Sequence, residues 1–361
     1  MSRSGSNLSV DENVLLAPFT TLRVGGPARF FIKAKTEEQV GEGLDFAQKR
    51  GCPVFILGGG SNILVADSGF TGVVLKIELS GIEPLDSASG ERISAAAGQE
   101  WDGFVQFCVD RNLAGIECLS GIPGTVGGTP VQNVGAYGEE VSETIVGVRV
   151  FDRSNDSIAD LGNPECRFAY RASIFNTTHK DRYIVLRVDF VLRPNGEPCI
   201  RYQDLQRRFG YKTGVPSIRE VREAVMEIRE AKGMALPGED QDSRSVGSFF
   251  KNPILSPEEA ARSEERARIR GIIGPDERIA RFAAASGKEK LAAAWLVERA
   301  GFHRGYKHGN AGISPQHSLA VINRGGATAQ EILDLMHLIQ SRVRELFEIE
   351  LQPEPVFVGF D

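Results

Sequence analysis

Residues 248–253 bring a hydroxyl, two aromatic rings, a cation and an amide together in six consecutive positions. The run reads Ser248-Phe249-Phe250-Lys251-Asn252-Pro253. A strand inside a hydrophobic core would not need the lysine and the asparagine, and an exposed loop would not bury two phenylalanines. The mixture is typical of a site that places one hydroxyl in a dry pocket. A strand that enters a turn accounts for the same residues equally well, so this run alone does not decide between the two interpretations.

A first glycine-rich segment follows a predicted strand at residues 53–57. It is Gly58-Gly59-Gly60-Ser61-Asn62, and another predicted strand comes directly after it, at residues 63–65. The dinucleotide-binding fingerprint requires a helix after its glycines, so this segment does not match it. Glycines still allow backbone N–H groups to approach an anion closely. The segment therefore predicts either an anion site or a plain tight turn.

A second glycine-rich segment, residues 115–138, is longer and almost uncharged. It contains isoleucine, valine, leucine and proline, where a flexible linker would contain serine and charged residues. We therefore expect the segment to be packed. Its composition suits a large aromatic cofactor with a pyrophosphate, held mostly by the main chain. An elaborate structural loop is the alternative interpretation.

Arg171 follows Tyr170, and Phe175 lies close behind it. The guanidinium is planar and always charged, so it can bind a carboxylate with two parallel hydrogen bonds. An arginine at the end of a strand is also a common surface residue, and its type alone does not establish a role.

Composition limits the classes of function. The chain has 361 residues, enough for two or three domains, and a net charge of −6. A mildly acidic chain without a basic run is a poor candidate for nucleic-acid binding. The sequence shows no bilayer-spanning apolar run and no secretion signal, so we expect a cytoplasmic protein without membrane contact. Its five scattered cysteines contain no Cys-x-x-Cys, which argues against a disulfide framework and against a metal site.

Hydrophobic periodicity and capping signals predict a mixed α+β chain. We expect strands at 29–34, 53–57, 63–65, 93–97, 144–151, 183–192, 319–322 and possibly 199–202. Helices are predicted after a capping box at Thr36, at 101–109, at 217–232 with a cap at Glu220, after Ser256, at 290–300 and at 328–347, with a loop at 301–314.

The two glycine-rich segments together resemble the FAD-binding fold of the vanillyl-alcohol oxidase class. Four motifs in order carry a more specific resemblance: Asn-x-Gly-Ala-Tyr-Gly at 133–138, Phe-x-Tyr-Arg-x-Ser-x-Phe at 168–175, Gly-Ser-Phe-Phe-Lys-Asn-Pro at 247–253 and Pro-Glu at 353–354. Over residues 16–360 the chain resembles the UDP-N-acetylenolpyruvoylglucosamine reductase family, in the type that has a substrate-closing tyrosine loop.

The resemblance implies an architecture of three domains after a disordered start at 1–13. FAD-binding subdomain 1 would span 14–80, and FAD-binding subdomain 2 would span 81–235 plus 349–361. A third α+β domain at 236–348 would bind substrate. The FAD would be non-covalent, because the first histidine, His179, lies beyond both glycine-rich segments.

The resemblance also implies a reaction, which belongs to peptidoglycan synthesis and hence to cell-wall biogenesis, cell shape and division. NADPH would reduce FAD, and flavin N5 would then deliver hydride to C3 of UDP-N-acetylglucosamine enolpyruvate, giving UDP-N-acetylmuramate. Ser248 matches the proton donor to C2. Arg171 matches the arginine that holds the substrate carboxylate, and Glu354 its acidic partner.

Further site residues follow from the same resemblance. The FAD-binding set is Gly58, Gly59, Gly60, Ser61, Asn62, Ile122, Pro123, Gly124, Thr125, Gly127, Gly128, Asn133, Gly135, Ala136 and Tyr137. The substrate-binding set is Tyr170, Tyr202, Asp204, Lys232 and Asn252. The resemblance implies a monomer whose partners are small molecules.

Two alternatives stay open at this point. One is a flavin oxidase of the same fold that acts on a small alcohol. The other is a non-catalytic nucleotide-binding regulator, which would stay colourless when FAD is added.

Overall fold

The computed structural model describes residues 8–85, 91–211, 214–234 and 243–360. Chain contacts divide it into two compact units. Unit 1 comprises the described residues of Met1–Val14, Pro27–Gly60 and Phe70–Ala231. Unit 2 comprises those of Leu15–Gly26, Ser61–Gly69 and Lys232–Asp361. The three-domain division made from sequence remains a prediction.

The described residues form helices and strands in a mixed order, which confirms the α+β class. The helices are α1 Glu37–Lys49, α2 Trp101–Asp110, α3 Asn163–Cys166, α4 Gln203–Phe209, α5 Ile218–Ala231, α6 Pro257–Ile269, α7 Ala293–Arg299 and α8 Ala329–Phe347. The strands are β1 Val10–Leu15, β2 Pro27–Ala34, β3 Val54–Leu57, β4 Ile63–Val65, β5 Phe70–Ile77, β6 Ile82–Leu85, β7 Glu91–Ala96, β8 Leu113–Ala114, β9 Gly135–Ala136, β10 Glu139–Glu140, β11 Ile145–Asp152, β12 Ser157–Gly162, β13 Tyr183–Pro194, β14 Ser245–Ser248, β15 Ile254–Leu255, β16 Arg281–Ala283, β17 Glu289–Leu291, β18 Lys307–His308, β19 Ala311–Ile313, β20 Ala320–Asn323 and β21 Val356–Val358.

Unit 1 is built on two sheets. The first has the order β1-β2-β5-β3, with β2 and β3 both parallel to β5. The second, with the order β12-β11-β13-β7-β6, is antiparallel. Helix α2 covers it with Trp101 and Phe104, whose rings lie 6.1 and 4.9 Å from the ring of Phe190 on β13. Because β3 runs parallel to its neighbour, the first glycine-rich segment leaves the carboxyl end of a parallel strand, where ligands bind in open α/β sheets.

Unit 2 contains the sheet β14-β20-β19-β18, the sheet β15-β17-β16 and the parallel pair β21-β4. Helix α8 begins at a capping box in which the Thr328 hydroxyl accepts from the Glu331 N–H and the Glu331 carboxylate accepts from the Thr328 N–H. One face of the helix is buried in the core, with Ile332, Leu335, Met336, Ile339, Val343 and Leu346. Within the described ranges, no helix is both long and apolar enough to cross a membrane.

Capping signals located three of the helices correctly, α1, α5 and α6. The caps predicted at Thr36, Ser256 and Glu220 are all present, and Glu220 accepts hydrogen bonds from the backbone N–H and the hydroxyl of Ser217. The helix predicted at 290–300 starts only at Ala293, because residues 289–291 pair as β17 with β15 and β16.

Three other expectations need correction. Disorder over residues 1–13 is wrong for residues 10–13, since Val10–Leu15 forms β1 beside β2 and Val10 packs on the core; residues 1–7 lie outside the described ranges. The predicted loop at 301–314 contains β18 and β19. Residues 199–202 form no strand; their backbone is irregular as it leads into α4.

Candidate functional site

The two glycine-rich segments meet in unit 1. A Cβ on Gly59 would lie 2.5 Å from the Cα of Gly124, and a Cβ on Gly58 would lie 3.1 Å from Thr125 Oγ1. Glycine at 59 therefore allows a main-chain approach that no other residue permits. Gly121 and Gly124 adopt φ values of 70° and 133°, which side chains disfavour. The result is a surface of exposed backbone, which suits the pyrophosphate of FAD, so the residues present fit this cofactor.

A lysine that the sequence reading did not single out supports this loop. Lys76 on β5 donates from Nζ to the Gly58 carbonyl oxygen at 3.3 Å. Burial lowers the pKa of Lys76 from its ordinary value. Its only sequence signal was a lysine within an otherwise apolar strand, which a surface position explains as well.

Replacing Gly59 by alanine should separate the two glycine-rich segments and weaken FAD binding by at least about tenfold, since the added methyl group meets backbone that cannot rotate away. Flavin content of the purified protein and fluorescence titration with FAD would measure the effect. Gly103→Ala in α2 is the matched control, because a Cβ there meets only side-chain atoms, at 3.4 Å or more. Full flavin content in Gly59→Ala would contradict the close approach.

Arg171 is held against the second glycine-rich segment. Its Nη2 donates to the Gly135 carbonyl oxygen at 2.8 Å, and its guanidinium lies 5.4 Å from the centre of the Tyr170 ring. Asn133 connects the same parts of the chain, because its Nδ2 donates to the Ala169 carbonyl oxygen at 3.1 Å. The predicted carboxylate-binding arginine and the predicted cofactor segment are thus brought together in one unit.

Asn133 was predicted to bind the cofactor, and the structure gives its amide several internal partners. Nδ2 also donates to Glu140 Oε2 at 2.8 Å, while Oδ1 accepts from the Ser142 N–H at 3.2 Å. The side chain is 1% exposed. These contacts shape the segment around residues 133–142, so Asn133 can position its neighbours even without contacting a ligand.

Tyr202 packs against the end of the second glycine-rich segment. Its ring meets that of Tyr137 edge to face, with centres 5.3 Å apart. Tyr202 is the N-cap of α4 and is 40% exposed, whereas Tyr137 is buried. Asp204 lies in the first turn of α4, with Arg207 3.9 Å away. A predicted substrate residue and a predicted cofactor residue therefore share one aromatic contact.

Two glutamates are buried side by side beneath this contact. Glu117 accepts from the N–H groups of Gly115 and Cys199 at 2.7 and 2.9 Å, and Glu139 accepts from the Cys118 N–H at 2.9 Å. Burial, and then the Glu117 carboxylate, raise the pKa of Glu139 to about 9. At neutral pH Glu139 is therefore protonated and donates a hydrogen bond to Glu117.

Two thiols complete this cluster. The Sγ atoms of Cys118 and Cys199 and the Glu139 carboxylate lie within 4.8 Å of one another. Cys118 Sγ donates to the Cys199 carbonyl oxygen at 3.1 Å. Burial raises the pKa of both thiols, so both are protonated at neutral pH.

The raised pKa predicts a pH-dependent stability. Glu139 stabilises the fold fully below the ordinary glutamate pKa, and this contribution falls as pH rises and is lost above about 9. Between pH 6 and 9 we expect the wild type to lose roughly 1–3 kcal/mol more than Glu139→Gln, which keeps a neutral donor. Denaturant unfolding measures the difference. Glu143→Gln, which removes an exposed acid nearby, should keep the wild-type profile. Equal profiles for wild type and Glu139→Gln would refute the raised pKa of Glu139.

In unit 2, Ser248 ends a bulged strand. The pairing of β14 with β20 shifts register between Ser245 and Ser248, and Gly247 between them has a φ of 75°. Bulges of this kind re-aim the side chain that follows them. Phe249 and Phe250 are 0% and 2% exposed, with ring centres 5.5 Å apart, so both are buried as the interpretation of a dry pocket requires.

Glu354 lies on the segment that pairs with this aromatic run. Its N–H donates to the Phe249 carbonyl oxygen at 2.8 Å, and an isolated antiparallel bridge joins Phe250 to Pro353. The fold thus brings two predicted catalytic residues, Ser248 and Glu354, onto adjacent backbone segments although about a hundred positions separate them in sequence.

Two predicted ligand-binding amides have structural partners in unit 2. Asn62 Nδ2 donates to the Glu354 carbonyl oxygen at 3.2 Å. Asn252 Oδ1 accepts from the Ala293 N–H at 2.9 Å, at the start of α7. Each contact orients an amide side chain that was predicted to bind a ligand.

In unit 2, Lys232 and Arg304 lie close enough to His317 to affect its protonation. Burial, and then Lys232 and Arg304, lower the pKa of His317 to about 4, so this imidazole is neutral at pH 7. His317 Nδ1 accepts from the Leu319 N–H at 3.0 Å, which leaves Nε2 as the protonated nitrogen. The role predicted for Lys232, at the diphosphate of the substrate, stays a prediction.

Comparisons with known proteins show the family to which the chain belongs. The model of the FAD binding domain matches residues 28–162, and the model of the UDP-N-acetylenolpyruvoylglucosamine reductase C-terminal domain matches residues 239–358. The UDP-N-acetylenolpyruvoylglucosamine reductase of Thermobifida fusca is 46% identical over 97% of this chain and 98% of its own length. That of Saccharopolyspora erythraea is 43% identical over 95% and 94%. A crystal structure of the Thermus caldophilus enzyme of the same name gives a TM-score of 0.65 at 25% identity, covering 98% and 100% of the two chains.

Residues 28–162 therefore form an FAD-binding domain, and the chain is a flavin-dependent oxidoreductase of mixed α+β fold. It belongs to the UDP-N-acetylenolpyruvoylglucosamine reductase family, whose reaction serves peptidoglycan biosynthesis. This membership confirms the predicted family, the FAD-binding fold and the class of reductase, over the oxidase and the non-catalytic alternatives.

Proposed function

We propose that the chain reduces UDP-N-acetylglucosamine enolpyruvate to UDP-N-acetylmuramate with NADPH as the electron source. The pairing of the Ser248 segment with the Glu354 segment carries this proposal, through the hydrogen bond from the Glu354 N–H to the Phe249 carbonyl oxygen at 2.8 Å. It gives a hydroxyl and a carboxylate that can act on one substrate. Names of the relatives and the FAD-binding domain support the same reaction.

Each catalytic side chain has a role set by its chemistry. The Arg171 guanidinium binds the enolpyruvyl carboxylate and stabilises the negative charge that develops beside it, and Glu354 is the acidic partner of this arginine. The Ser248 hydroxyl donates a proton to C2, and its position beside two buried aromatic rings excludes the water that would compete with it. FAD, when bound, supplies the hydride that it takes from NADPH to carbon C3.

Other residues hold the two ligands. The backbone of the glycine-rich segments and the residues predicted with them bind FAD without a covalent bond. Tyr202 with Asp204 closes over the nucleotide, Tyr170 and Asn252 contact it, and Lys232 neutralises its diphosphate. In this proposal the protein acts in the cytoplasm on small molecules, without nucleic acid or membrane. It acts as a monomer, which a measurement of its mass in solution tests.

Product analysis tests the proposal. With NADPH, the enolpyruvyl nucleotide should gain two hydrogen atoms for each NADPH consumed, as mass spectrometry of the nucleotide would show. UDP-N-acetylglucosamine, which lacks the enolpyruvyl group, should remain unchanged as the control. Consumption of NADPH with formation of hydrogen peroxide and an unaltered enolpyruvyl nucleotide would contradict the proposal.

A further inference from the structure

Arg229 is a buried cation beside the second glycine-rich segment. It lies in the last turn of α5 and is 8% exposed. A Cβ on Gly121 would lie 3.0 Å from its Nε and 3.1 Å from its Cδ, so the glycine makes room for this side chain. Arg229 also hydrogen-bonds to Tyr137. Both neighbours belong to the segment that holds the FAD-binding residues.

Within the part of the chain that the structure describes, the charge of Arg229 lacks a counterion of its own. The nearby Asp102 is engaged by Arg222, whose Nη1 and Nη2 donate to it at 2.7 and 2.8 Å. Among the described residues, no carboxylate forms an ion pair with Arg229, and its buried Nε has no hydrogen-bond partner. Burial lowers the pKa of Arg229.

A buried cation without an anion is costly, because desolvation is not offset by an ion pair. Such a cation is retained in a protein where a bound ligand supplies the anion that pairs with it. In unit 1 the adjoining backbone at Gly121–Gly124 is the part that suits a phosphate group, so the missing anion should come from the ligand held there.

We propose that Arg229 binds the pyrophosphate of FAD, and that Gly121 is small in order to admit its guanidinium. This inference rests on FAD binding by the chain and extends it to a residue outside the motifs that carried the family resemblance. Within residues 115–138 Glu117 is the one charged residue, so Arg229 would bring positive charge to a segment that has none of its own.

Fluorescence titration of flavin-free protein with FAD and with riboflavin tests the assignment, because riboflavin has the same ring without the pyrophosphate. Arg229→Gln should weaken FAD binding by about tenfold or more, the loss expected for a charge-assisted hydrogen bond, and should change riboflavin affinity less than about twofold. Arg219→Met, an exposed arginine of the same helix, should bind both as the wild type does.

The outcomes are distinct. Equal weakening of FAD and riboflavin, or no change for either, overturns the proposal. Weaker binding of UDP-N-acetylglucosamine with unchanged FAD affinity assigns the anion to substrate and also overturns it. If Arg229→Gln does not fold, Arg229→Lys decides: a reduced preference for FAD over riboflavin supports the role, and the wild-type preference refutes it. Failure of the wild type to bind FAD would instead count against the cofactor itself.

Discussion

Ser248→Ala should leave reduction of the bound flavin by NADPH unchanged and slow formation of UDP-N-acetylmuramate by about 10²–10⁴-fold, the usual contribution of a general acid. The hydroxyl is needed only when C2 takes a proton, so the first half of the reaction does not depend on it. Removing one oxygen beside Phe249 and Phe250 opens little space, and the fold should be retained.

Rapid-mixing absorbance separates the two half-reactions of Ser248→Ala. Ser248→Cys keeps a proton donor of similar size and should recover part of the lost rate, which an inert packing role would not predict. If the alanine variant instead loses flavin reduction by NADPH and keeps the later half-reaction, Ser248 is not the proton donor.

Arg171→Ala should slow the half-reaction with the nucleotide by about 10²–10³-fold, because the developing charge on the substrate carboxylate loses its preorganised partner. The structure fixes this guanidinium through the Gly135 carbonyl oxygen at 2.8 Å. Arg171→Lys keeps the charge without the planar fork, and we expect an intermediate rate.

Arg167 provides a matched control for Arg171. It is exposed and lies four positions earlier in the sequence. Its φ of 47° resembles the 52° of Arg171, so a substitution by alanine meets similar backbone strain at both positions. Arg167→Ala should therefore react at the wild-type rate. Equal rates for Arg171→Ala and wild type would show that the carboxylate is bound elsewhere.

Local signals in the sequence predicted six of the eight helices among the described residues and missed the short helices α3 and α4. Thr36, Ser217, Ser256 and Thr328 each form a cap with a residue three positions later, and such a contact depends only on neighbours in the chain. The strand at 289–291 was missed because its partners lie elsewhere in the sequence, and pairing rather than intrinsic preference makes it a strand.

The site residues show the same difference between local signals, which the sequence contains, and long-range contacts, which it does not show. The sequence motifs identified Ser248, Arg171 and Glu354 as site residues. Long-range contacts, however, decide which of the segments that contain them touch one another. The bridge from Phe250 to Pro353 and the approach of Gly59 to Gly124 have no local signal. The unusual states of Arg229 and of the protonated Glu139 emerge only from burial, since the cost of a buried charge cannot be read before the surroundings are known.

The most direct test of the catalytic account is an anaerobic experiment in two steps. Mixing the flavin-loaded protein with one equivalent of NADPH should bleach the flavin absorbance, and the colour should stay lost until UDP-N-acetylglucosamine enolpyruvate is added. The absorbance should then return as UDP-N-acetylmuramate forms in equal amount. A flavin that NADPH does not bleach, or that regains colour only when oxygen enters, would contradict the account.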